Sequence, residues 1–543
     1  MSCAEVALHV PSHGWVKIVA GRRSLSGTEN RARYTAVEEV EIAAAGRSLD
    51  PTDWKAFRRQ AHFMMDDMLD SLEHVRERTV WQPMDATQRE HFRSSLPQGP
   101  TNMALVHEEF LEQILPYTAG NVHPGFMGWV QGGGTPAGML AGMLAAGLNA
   151  NVGGRDHAPV EVERQVVGWM RDLFHFPETA SGLFVTGTSM ANLIATVIAR
   201  DVALGLSVRN TGVLAAGKRL VAYTSNSAHG CIAKAMDIAG LGSDSLRLIE
   251  TDASYRMNMA SLEEVLERDL RDGLQPFMVV GTVGTTDTGA IDDLKHLAAI
   301  CNRHKVWFHV DGAYGALAML SPELAPLLQG IEEADSLAFD FHKWGQVPYD
   351  AGFLLVRDGA LHRQAFAASG AYLQRESRGM AAGSTWPCDL GPDLSRGFNA
   401  LKAWFTLKVH GAEAIGTSIA HTCDLARYLQ RRIEECPELE LIAPVELNIV
   451  CFRYRFQGKE GVAEDWNRIN REIVMELQES GSVAPSMTTL NGKLCIRAAI
   501  VNHRTDRSDI DTLVEQTLAL GGALHHGGVL AWHERQNPHK EME

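Results

Sequence analysis

A lysine and an aspartate each stand near the end of an apolar segment that has the pattern of a buried strand. Asp311 ends the segment VWFHVD, and Lys343 follows the segment SLAFD. Because the carboxyl ends of neighbouring parallel strands meet at one edge of a sheet, we expect the two side chains to lie close together. A lone lysine in such a place is most often an ordinary surface residue. The adjacent His342 and Trp344 and the upstream HVDGAYG favour a functional role instead.

An amine and a carboxylate at one sheet edge meet the requirements of pyridoxal 5′-phosphate (PLP). The aldehyde of PLP is held by a lysine amine that acts as a nucleophile. The pyridine nitrogen must stay protonated for the ring to accept electrons, and a paired carboxylate favours the protonated form. We therefore predict that Lys343 binds the aldehyde and that Asp311 pairs with the ring nitrogen.

Two further turns are suited to the remaining parts of such a cofactor. Thr188 and Ser189 follow a glycine between the strand GLFVT and a helical segment, where free N–H groups and hydroxyls suit a phosphate. The same pattern is also a common helix cap. His229 follows the strand RLVAYTS, and its flat ring suits either stacking on a pyridine ring or capping the next helix.

These residues belong to a region, 136–360, in which strand-like and helix-like segments alternate. Continuous apolar strands separated by amphipathic helices are typical of a mostly parallel sheet covered on both faces, and so of an α/β fold. The predicted strands are 182–186, 219–225, 246–251, 277–284, 306–311, 336–340 and 352–357, and in a second α/β region 446–454 and 492–500. The predicted helices are 38–46, 49–75, 107–118, 261–273, 294–304 and 394–411.

Composition excludes several classes of function. A chain of 543 residues predicts two or three structural units. The 66 acidic residues outnumber the 50 Lys and Arg, giving a formal charge of -16 that argues against nucleic-acid binding. The eight cysteines show no CxxC pair and no zinc spacing, so we expect free thiols and no metal. Without a signal peptide or a membrane-spanning apolar run, we expect a cytoplasmic protein that does not bind membranes.

The order of the motifs resembles that of the group II PLP-dependent amino-acid decarboxylases, the family of aromatic-L-amino-acid, glutamate and diaminobutyrate decarboxylases. HVDGAYG precedes DFHKW, and VHPGFMGW, TGTSMANL, VAYTSNSAHG, VGTTDTG and LKAWF occur in the family's order. The likeness extends from near residue 49 to near residue 505. It implies a fold-type I PLP enzyme, like aspartate aminotransferase, that forms a homodimer.

The resemblance and the shifts in composition together predict five segments. They are an N-terminal extension (1–48), an N-terminal helical segment (49–135), a large PLP-binding domain (136–415), a small C-terminal α/β domain (416–530) and a tail (531–543).

The resemblance also implies a reaction and roles for individual residues. The reaction is decarboxylation of an L-amino acid to its amine and CO2, through an internal aldimine on Lys343 and a quinonoid intermediate. Asp311 would pair with the pyridine nitrogen, and His229 would stack over the ring and take part in proton transfer. Ala313 would lie under the ring and Thr286 near the substrate carboxylate. The remaining residues implied to bind the cofactor are Thr188, Ser189, Asp340 and His342.

Two departures from the family pattern bear on the chemistry. Asp340 stands where the family has a phosphate-side asparagine, so we expect its carboxylate to turn away or to hydrogen-bond the backbone. No tyrosine occurs from Leu373 through Ala426, where many members carry a loop tyrosine that protonates the intermediate; Trp386 lies near that place. Relatives without this tyrosine can divert the intermediate to oxygen. A decarboxylating aldehyde synthase is therefore the alternative, and a non-catalytic PLP-fold binding protein is a third hypothesis.

A third departure concerns the substrate. Positions that are bulky and aromatic in aromatic-amino-acid decarboxylases are matched here by a stretch that includes Val130, Gly132, Asn151 and Arg155. Because apolar walls supply the affinity for a buried aromatic ring, this stretch favours a polar substrate. Alternatively, Arg155 and its two neighbours form a structural ion-pair cluster at a dimer interface.

Overall fold

The computed structural model describes residues 48–367, 374–383, 385–455 and 463–527. The predicted helix 38–46 and the predicted tail 531–543 lie outside these residues. The described chain divides into two compact units. The first comprises residues 48–70 and 85–116, and the second comprises residues 71–84 and 117–527.

The first unit is helical. It contains most of α1 (Trp54–Glu73), together with α2 (Ala86–His91) and α3 (Met103–Glu109). Helix α1 begins after Asp53 rather than at the upstream Asp-Pro pair, because the Asp53 carboxylate accepts hydrogen bonds from the N–H groups of Lys55 and Ala56. The predicted helix 107–118 is α-helical only to the end of α3 and continues as a π turn and a 3₁₀ turn.

The second unit contains the strands and the remaining helices. The strands are β1 (Phe126–Met127), β2 (Ser181–Val185), β3 (Leu220–Ser225), β4 (Leu246–Ile249), β5 (Gln275–Thr282), β6 (Trp307–Asp311), β7 (Ser336–Asp340), β8 (Gly352–Val356), β9 (Leu439–Leu441), β10 (Ile449–Tyr454), β11 (Ala484–Leu490) and β12 (Lys493–Ala499). The helices are α4 (Pro136–Leu148), α5 (Ala158–Leu173), α6 (Thr188–Leu204), α7 (Val208–Thr211), α8 (Cys231–Ile238), α9 (Met259–Arg271), α10 (Leu294–His304), α11 (Gly359–Phe366), α12 (Ala400–His410), α13 (Ala412–Glu434), α14 (Ala463–Ser480) and α15 (Arg507–Gly527).

The larger sheet is mostly parallel, as the alternating pattern predicts. Among the described residues it has seven strands in the order β2-β8-β7-β6-β5-β3-β4. Within these seven described strands, only the pairings of β8, with β2 and with β7, are antiparallel. All seven strands coincide with predicted ones, and separate apolar clusters cover the two faces. The prediction of an α/β fold with a mostly parallel sheet is confirmed.

The smaller sheet has the order β1-β11-β12-β10-β9 and is mainly antiparallel. Strands β10 and β12 were predicted, whereas β1, β9 and β11 were not. Strand β11, APSMTTL, contains a proline and three hydroxyl residues, and part of it is exposed, so it lacks the apolar signal of a core strand. Strand β1 lies within the predicted segment 49–135 but pairs with β11, and the boundaries of the five segments stay predictions.

Two further findings concern the described residues as a whole. None of their helices is both long enough and apolar enough to cross a membrane. The seven cysteines among them are free thiols.

The buried His362 predicts a loss of stability in acid. Its Nε2 donates to the Leu390 carbonyl at 2.6 Å and its Nδ1 accepts from the Ser181 hydroxyl at 2.7 Å. Burial lowers its pKa from 6.5 to about 4, so between these values the unfolded chain binds a proton that the folded chain does not. We expect this histidine to lower the free energy of unfolding by about 1.4 kcal/mol per pH unit as the pH falls through that window. Urea unfolding at several pH values between 4 and 6.5 measures how steeply the free energy of unfolding depends on pH. This dependence should be weaker for His362→Gln than for the wild type, and equal dependence would contradict the prediction.

Candidate active site

The topology places Asp311 and Lys343 at the same edge of the larger sheet. Asp311 is the last residue of β6, and Lys343 lies in the turn after the parallel neighbour β7. Asp311 is 3% exposed and is paired with Ala338 of β7, and the Lys343 amine lies 2.9 Å from Oδ2 of Asp340, the last residue of that strand. The structure therefore places Lys343 and Asp311 at one sheet edge, as the sequence predicts.

The Asp311 carboxylate is held by two N–H donors. Its Oδ1 accepts from the backbone N–H of Ala313 at 3.1 Å, and its Oδ2 accepts from the side-chain amide of Asn192 at 3.0 Å. Burial raises the pKa of Asp311, while the positive charge of Lys343 and the two hydrogen bonds oppose that rise. The carboxylate is thus buried but supplied with groups that favour its ionised form.

Asp340 hydrogen-bonds the backbone, which is one of the two arrangements expected for it. Its Oδ1 accepts from the N–H of Thr188 at 2.7 Å, and its Oδ2 lies 2.9 Å from Lys343 Nζ. The carboxylate thereby joins the turn after β7 to the first residue of α6.

The start of α6 has the chemistry of a phosphate site. The Thr188 hydroxyl is buried and has no hydrogen-bond partner among the described residues, while Ser189 is exposed. His342 Nδ1 accepts from the N–H of Ala351 at 3.0 Å, so the ring carries its proton on Nε2, 3.6 Å from Asp340 Oδ2. Burial lowers the pKa of His342. An unsatisfied hydroxyl and an imidazole N–H at a helix N-terminus fit the phosphate of PLP.

The other residues implied to bind the cofactor lie around this edge. His229 is exposed, and its Nδ1 accepts from the N–H of Cys231 at 3.2 Å. The Ala313 carbonyl accepts from the N–H of Asp340. Thr286 has an exposed side chain, and its carbonyl accepts two hydrogen bonds from the guanidinium of Arg497.

The four predicted substrate residues differ in their surroundings. The N–H of Gly132 donates to the His342 carbonyl, and a Cβ at Gly132 would lie 2.4 Å from the Lys343 carbonyl oxygen. Asn151 Oδ1 accepts from the N–H groups of Gly153 and Arg396. The last two are Val130, which packs against the main core, and Arg155, whose guanidinium lies 4.7 Å from the centre of the Trp386 ring. Gly132 thus contacts the turn that holds Lys343, whereas Asn151 and Arg155 contact the segment 386–396.

Two buried residues near the site, Asn192 and Arg497, are not among those that the sequence predicts. Asn192 follows Thr188 by one helical turn, and this spacing could have identified it. Arg497 is 3% exposed and, besides Thr286, donates to the Gly128 carbonyl at 2.7 Å. No local pattern marks Arg497, because its partners come from segments distant in sequence.

Comparisons with known proteins identify the family and the fold. The model of the pyridoxal-dependent decarboxylase conserved domain matches residues 86–455. An aromatic-L-amino-acid decarboxylase of Bacillus atrophaeus is 32% identical over 470 residues, covering 85% of this chain and 95% of the relative. A phenylacetaldehyde synthase of Arabidopsis thaliana is 31% identical over 481 residues, covering 86% and 96%. The crystal structure of Oryza sativa TDC with PLP and tryptamine has a TM-score of 0.80 at 24% identity, covering 88% and 100%, and shows the same fold.

Proposed function

The chain belongs to the pyridoxal-dependent decarboxylase family, and from this premise we propose that it converts an L-amino acid into its amine and CO2, with PLP held by Lys343. Membership makes it a PLP-dependent carboxy-lyase. The observation that carries the residue assignment is the meeting of Lys343 and Asp311 at one sheet edge, beside the unsatisfied hydroxyl of Thr188.

We assign each part of the cofactor to residues of this edge. The Lys343 amine holds the aldehyde, Asp311 holds a proton on the pyridine nitrogen, and His229 covers the ring and moves protons at its Nε2. When bound, PLP supplies a sink for the electrons that remain as CO2 leaves. The phosphate is held by Thr188, Ser189 and His342, with Asp340 fixing the turn. Ala313 and Thr286 line the ring and the substrate carboxylate.

An oxygen-consuming reaction is the second candidate, and a specific observation favours it. No tyrosine occurs from Leu373 through Ala426, and Trp386 is 1% exposed, with the guanidinium groups of Arg155 and Arg375 each 4.7 Å from its ring centre. The indole N–H of Trp386 is a much weaker acid than a phenol, and it already donates to the Ala382 carbonyl at 3.1 Å. In this reaction the amino acid, O2 and water give an aldehyde, CO2, ammonia and hydrogen peroxide. The similarity to a phenylacetaldehyde synthase supports this candidate.

The substrate is proposed to be polar, on the ground that Val130, Gly132 and Asn151 provide no aromatic wall. The named activities of the relatives include decarboxylation of aromatic amino acids, so the assay must contain both classes. We would incubate the PLP-loaded protein with individual L-amino acids, in air and under argon, and quantify the amine, aldehyde, CO2 and peroxide.

Each outcome of this assay selects one hypothesis. Amine and CO2 in equal amounts, in air and under argon, support the decarboxylase and name its substrate. Aldehyde with equal peroxide, lost under argon, supports the aldehyde synthase. A protein that binds no PLP would revive the non-catalytic binding protein.

We also propose a cytoplasmic homodimer. Three large apolar side chains of α4 are exposed, Met143 by 49%, Leu144 by 44% and Leu148 by 62%, and grouped exposed apolar side chains are typical of protein–protein interfaces. The free thiols of the described cysteines suit a reducing compartment. Sedimentation analysis of the PLP-loaded protein measures the assembly state, and a monomer would contradict the dimer.

Replacing Asp340 with asparagine is expected to tighten PLP binding. The carboxylate lies beside Thr188 and His342, where the phosphate would bind, and like charges at such a site repel by about 1 kcal/mol or more. We therefore expect Asp340→Asn to lower the dissociation constant of PLP by roughly tenfold. Equilibrium titration of the cofactor-free protein, with inorganic phosphate as competitor, measures the change. Weaker binding would instead show that the bonds of Asp340 to Thr188 and Lys343 outweigh the repulsion.

A further inference from the structure

We propose that Asn192 and His309 are positioning residues whose hydrogen-bond chain keeps the Asp311 carboxylate ionised toward the ring nitrogen of the cofactor. This inference rests on the proposed function, because it concerns the group with which Asp311 pairs. Neither residue was singled out by the sequence, and neither is itself placed against the cofactor.

A continuous chain of side-chain hydrogen bonds leads from the interior to Asp311. Trp307 Nε1 lies 2.8 Å from Ser336 Oγ, and Ser336 Oγ lies 2.8 Å from His309 Nδ1. His309 Nε2 lies 2.8 Å from Asn192 Oδ1, and Asn192 Nδ2 lies 3.0 Å from Asp311 Oδ2. The three central side chains are 0% exposed, so water does not compete for these bonds.

The hydrogen-bond chain is formed by residues of one helix and two strands, α6, β6 and β7. On β6, Trp307, His309 and Asp311 alternate with core residues and therefore share one face of the sheet. Ser336, the first residue of β7, is paired with His309. Helix α6 packs on this face through its apolar residues and contributes Asn192.

The direction of every bond follows from the carboxylate end. An ionised Asp311 only accepts, so the Asn192 amide must present its Nδ2 to it and its Oδ1 to His309. His309 must then carry its proton on Nε2. Burial lowers the pKa of His309 to about 3, so the neutral ring has a single N–H and its Nδ1 accepts from Ser336.

The bonds of Trp307 and Ser336, at the other end of the hydrogen-bond chain, are consistent with this donor–acceptor direction. The indole of Trp307 can only donate, and its N–H fills an acceptor site of Ser336, whose own proton is left for His309. The reverse direction would place the Asn192 oxygen against the Asp311 carboxylate with no proton between them. The second N–H of the Asn192 amide donates to Cys231 Sγ at 3.2 Å, which further fixes the amide.

Asn192 supplies the hydrogen bond to Oδ2 of Asp311. The other groups that act on this carboxylate are the charge of Lys343, the imidazole of His229, the backbone N–H of Ala313 and the thiol of Cys231. Lys343 is committed to the cofactor aldehyde in the proposed function. Without the Asn192 donor, burial would favour a protonated Asp311, and that proton would come from the ring nitrogen.

The test measures the proton on the ring nitrogen directly. PLP labelled with ¹⁵N in the ring is bound to the wild-type protein and to Asn192→Leu, and the ¹⁵N chemical shift is recorded by solid-state NMR over a range of pH. We expect a protonated nitrogen in the wild type at neutral pH. In Asn192→Leu the ratio of protonated to neutral nitrogen should fall by roughly tenfold at the same pH, the size expected for one hydrogen bond to a charged group.

Matched variants separate this role from a general loss of stability. Asn470 is also 0% exposed and its amide bonds Tyr454 in the smaller sheet, so Asn470→Leu should leave the ¹⁵N shift unchanged. His309→Leu should lower protonation, whereas His309→Gln keeps a donor toward Asn192 and should restore most of it. If Asn192→Leu does not fold, the comparison of His309→Leu with His309→Gln shows whether the hydrogen-bond chain affects protonation of the ring nitrogen.

Two results would overturn the inference. If the wild type holds PLP with a protonated nitrogen and neither Asn192→Leu nor His309→Leu changes the ¹⁵N shift, the chain does not act on Asp311 while the proposed function stands. If the wild type binds no PLP, the proposed function fails and the inference fails with it.

Discussion

Lys343→Ala is expected to abolish the visible absorbance of the lysine-bound cofactor and to reduce kcat by at least about a thousandfold, the order lost when a covalent catalytic group is removed. The Lys343 amine lies 2.9 Å from Asp340 Oδ2, at the sheet edge where β6 ends in Asp311, whereas the amine of the nearby Lys402 is bonded to the carbonyls of Tyr349 and Asp350. PLP should still bind through its phosphate, so dialysis should remove it much faster than from the wild type. Absorbance spectra and product assays on the purified variant measure both effects.

Lys343→Arg is the matched control for the charge of this lysine. A guanidinium can keep the ion pair with Asp340 Oδ2 but cannot bond covalently to an aldehyde. We expect this variant to lose the absorbance as fully as Lys343→Ala does, while retaining more of its thermal stability. A variant of either kind with a wild-type spectrum would remove the central claim.

The sequence was most informative where a strand is buried on both faces. The segments from GLFVT to GFLLV are mostly buried apolar runs, with LRLIET the partly exposed exception, and each forms a strand within two residues of its predicted ends. The polar strand β11 was missed because its stability comes from pairing with β12 and from the helices packed behind it, which a local pattern does not show. Long-range pairing, rather than local preference, decides such strands.

The candidate site shows the same division. Asp311, Lys343 and the Thr188 turn could be predicted, since the chemistry of a cofactor demands those residue types at strand ends. Asn192 lies on α6 and bonds Asp311 and His309 of β6, a contact between elements that local sequence does not show. His309 itself lies within an apolar strand and carries no pattern of its own. The sequence predicts the groups that would touch the cofactor better than the groups that orient them.

Asp311→Asn is expected to lower kcat by on the order of a thousandfold, the size seen when a preorganised electrostatic group is removed from a reaction centre. An amide has no negative charge to hold a proton on the ring nitrogen. It also cannot accept from both Ala313 and Asn192, because one of its two polar atoms is a donor. The unmatched donor should cost about 1–3 kcal/mol of stability, measurable by urea unfolding.

Asp292→Asn is the control that separates these two effects. Asp292 is 2% exposed, and its carboxylate accepts from the N–H groups of Met257 at 2.7 Å and Thr282 at 2.8 Å, so its substitution creates the same donor conflict. We expect the two variants to lose similar stability, while only Asp311→Asn loses the ¹⁵N signature of a protonated ring and the thousandfold in kcat. Equal kcat for the two variants would mean that the carboxylate at the end of β6 is structural, and the assignment of the ring nitrogen to Asp311 would be wrong.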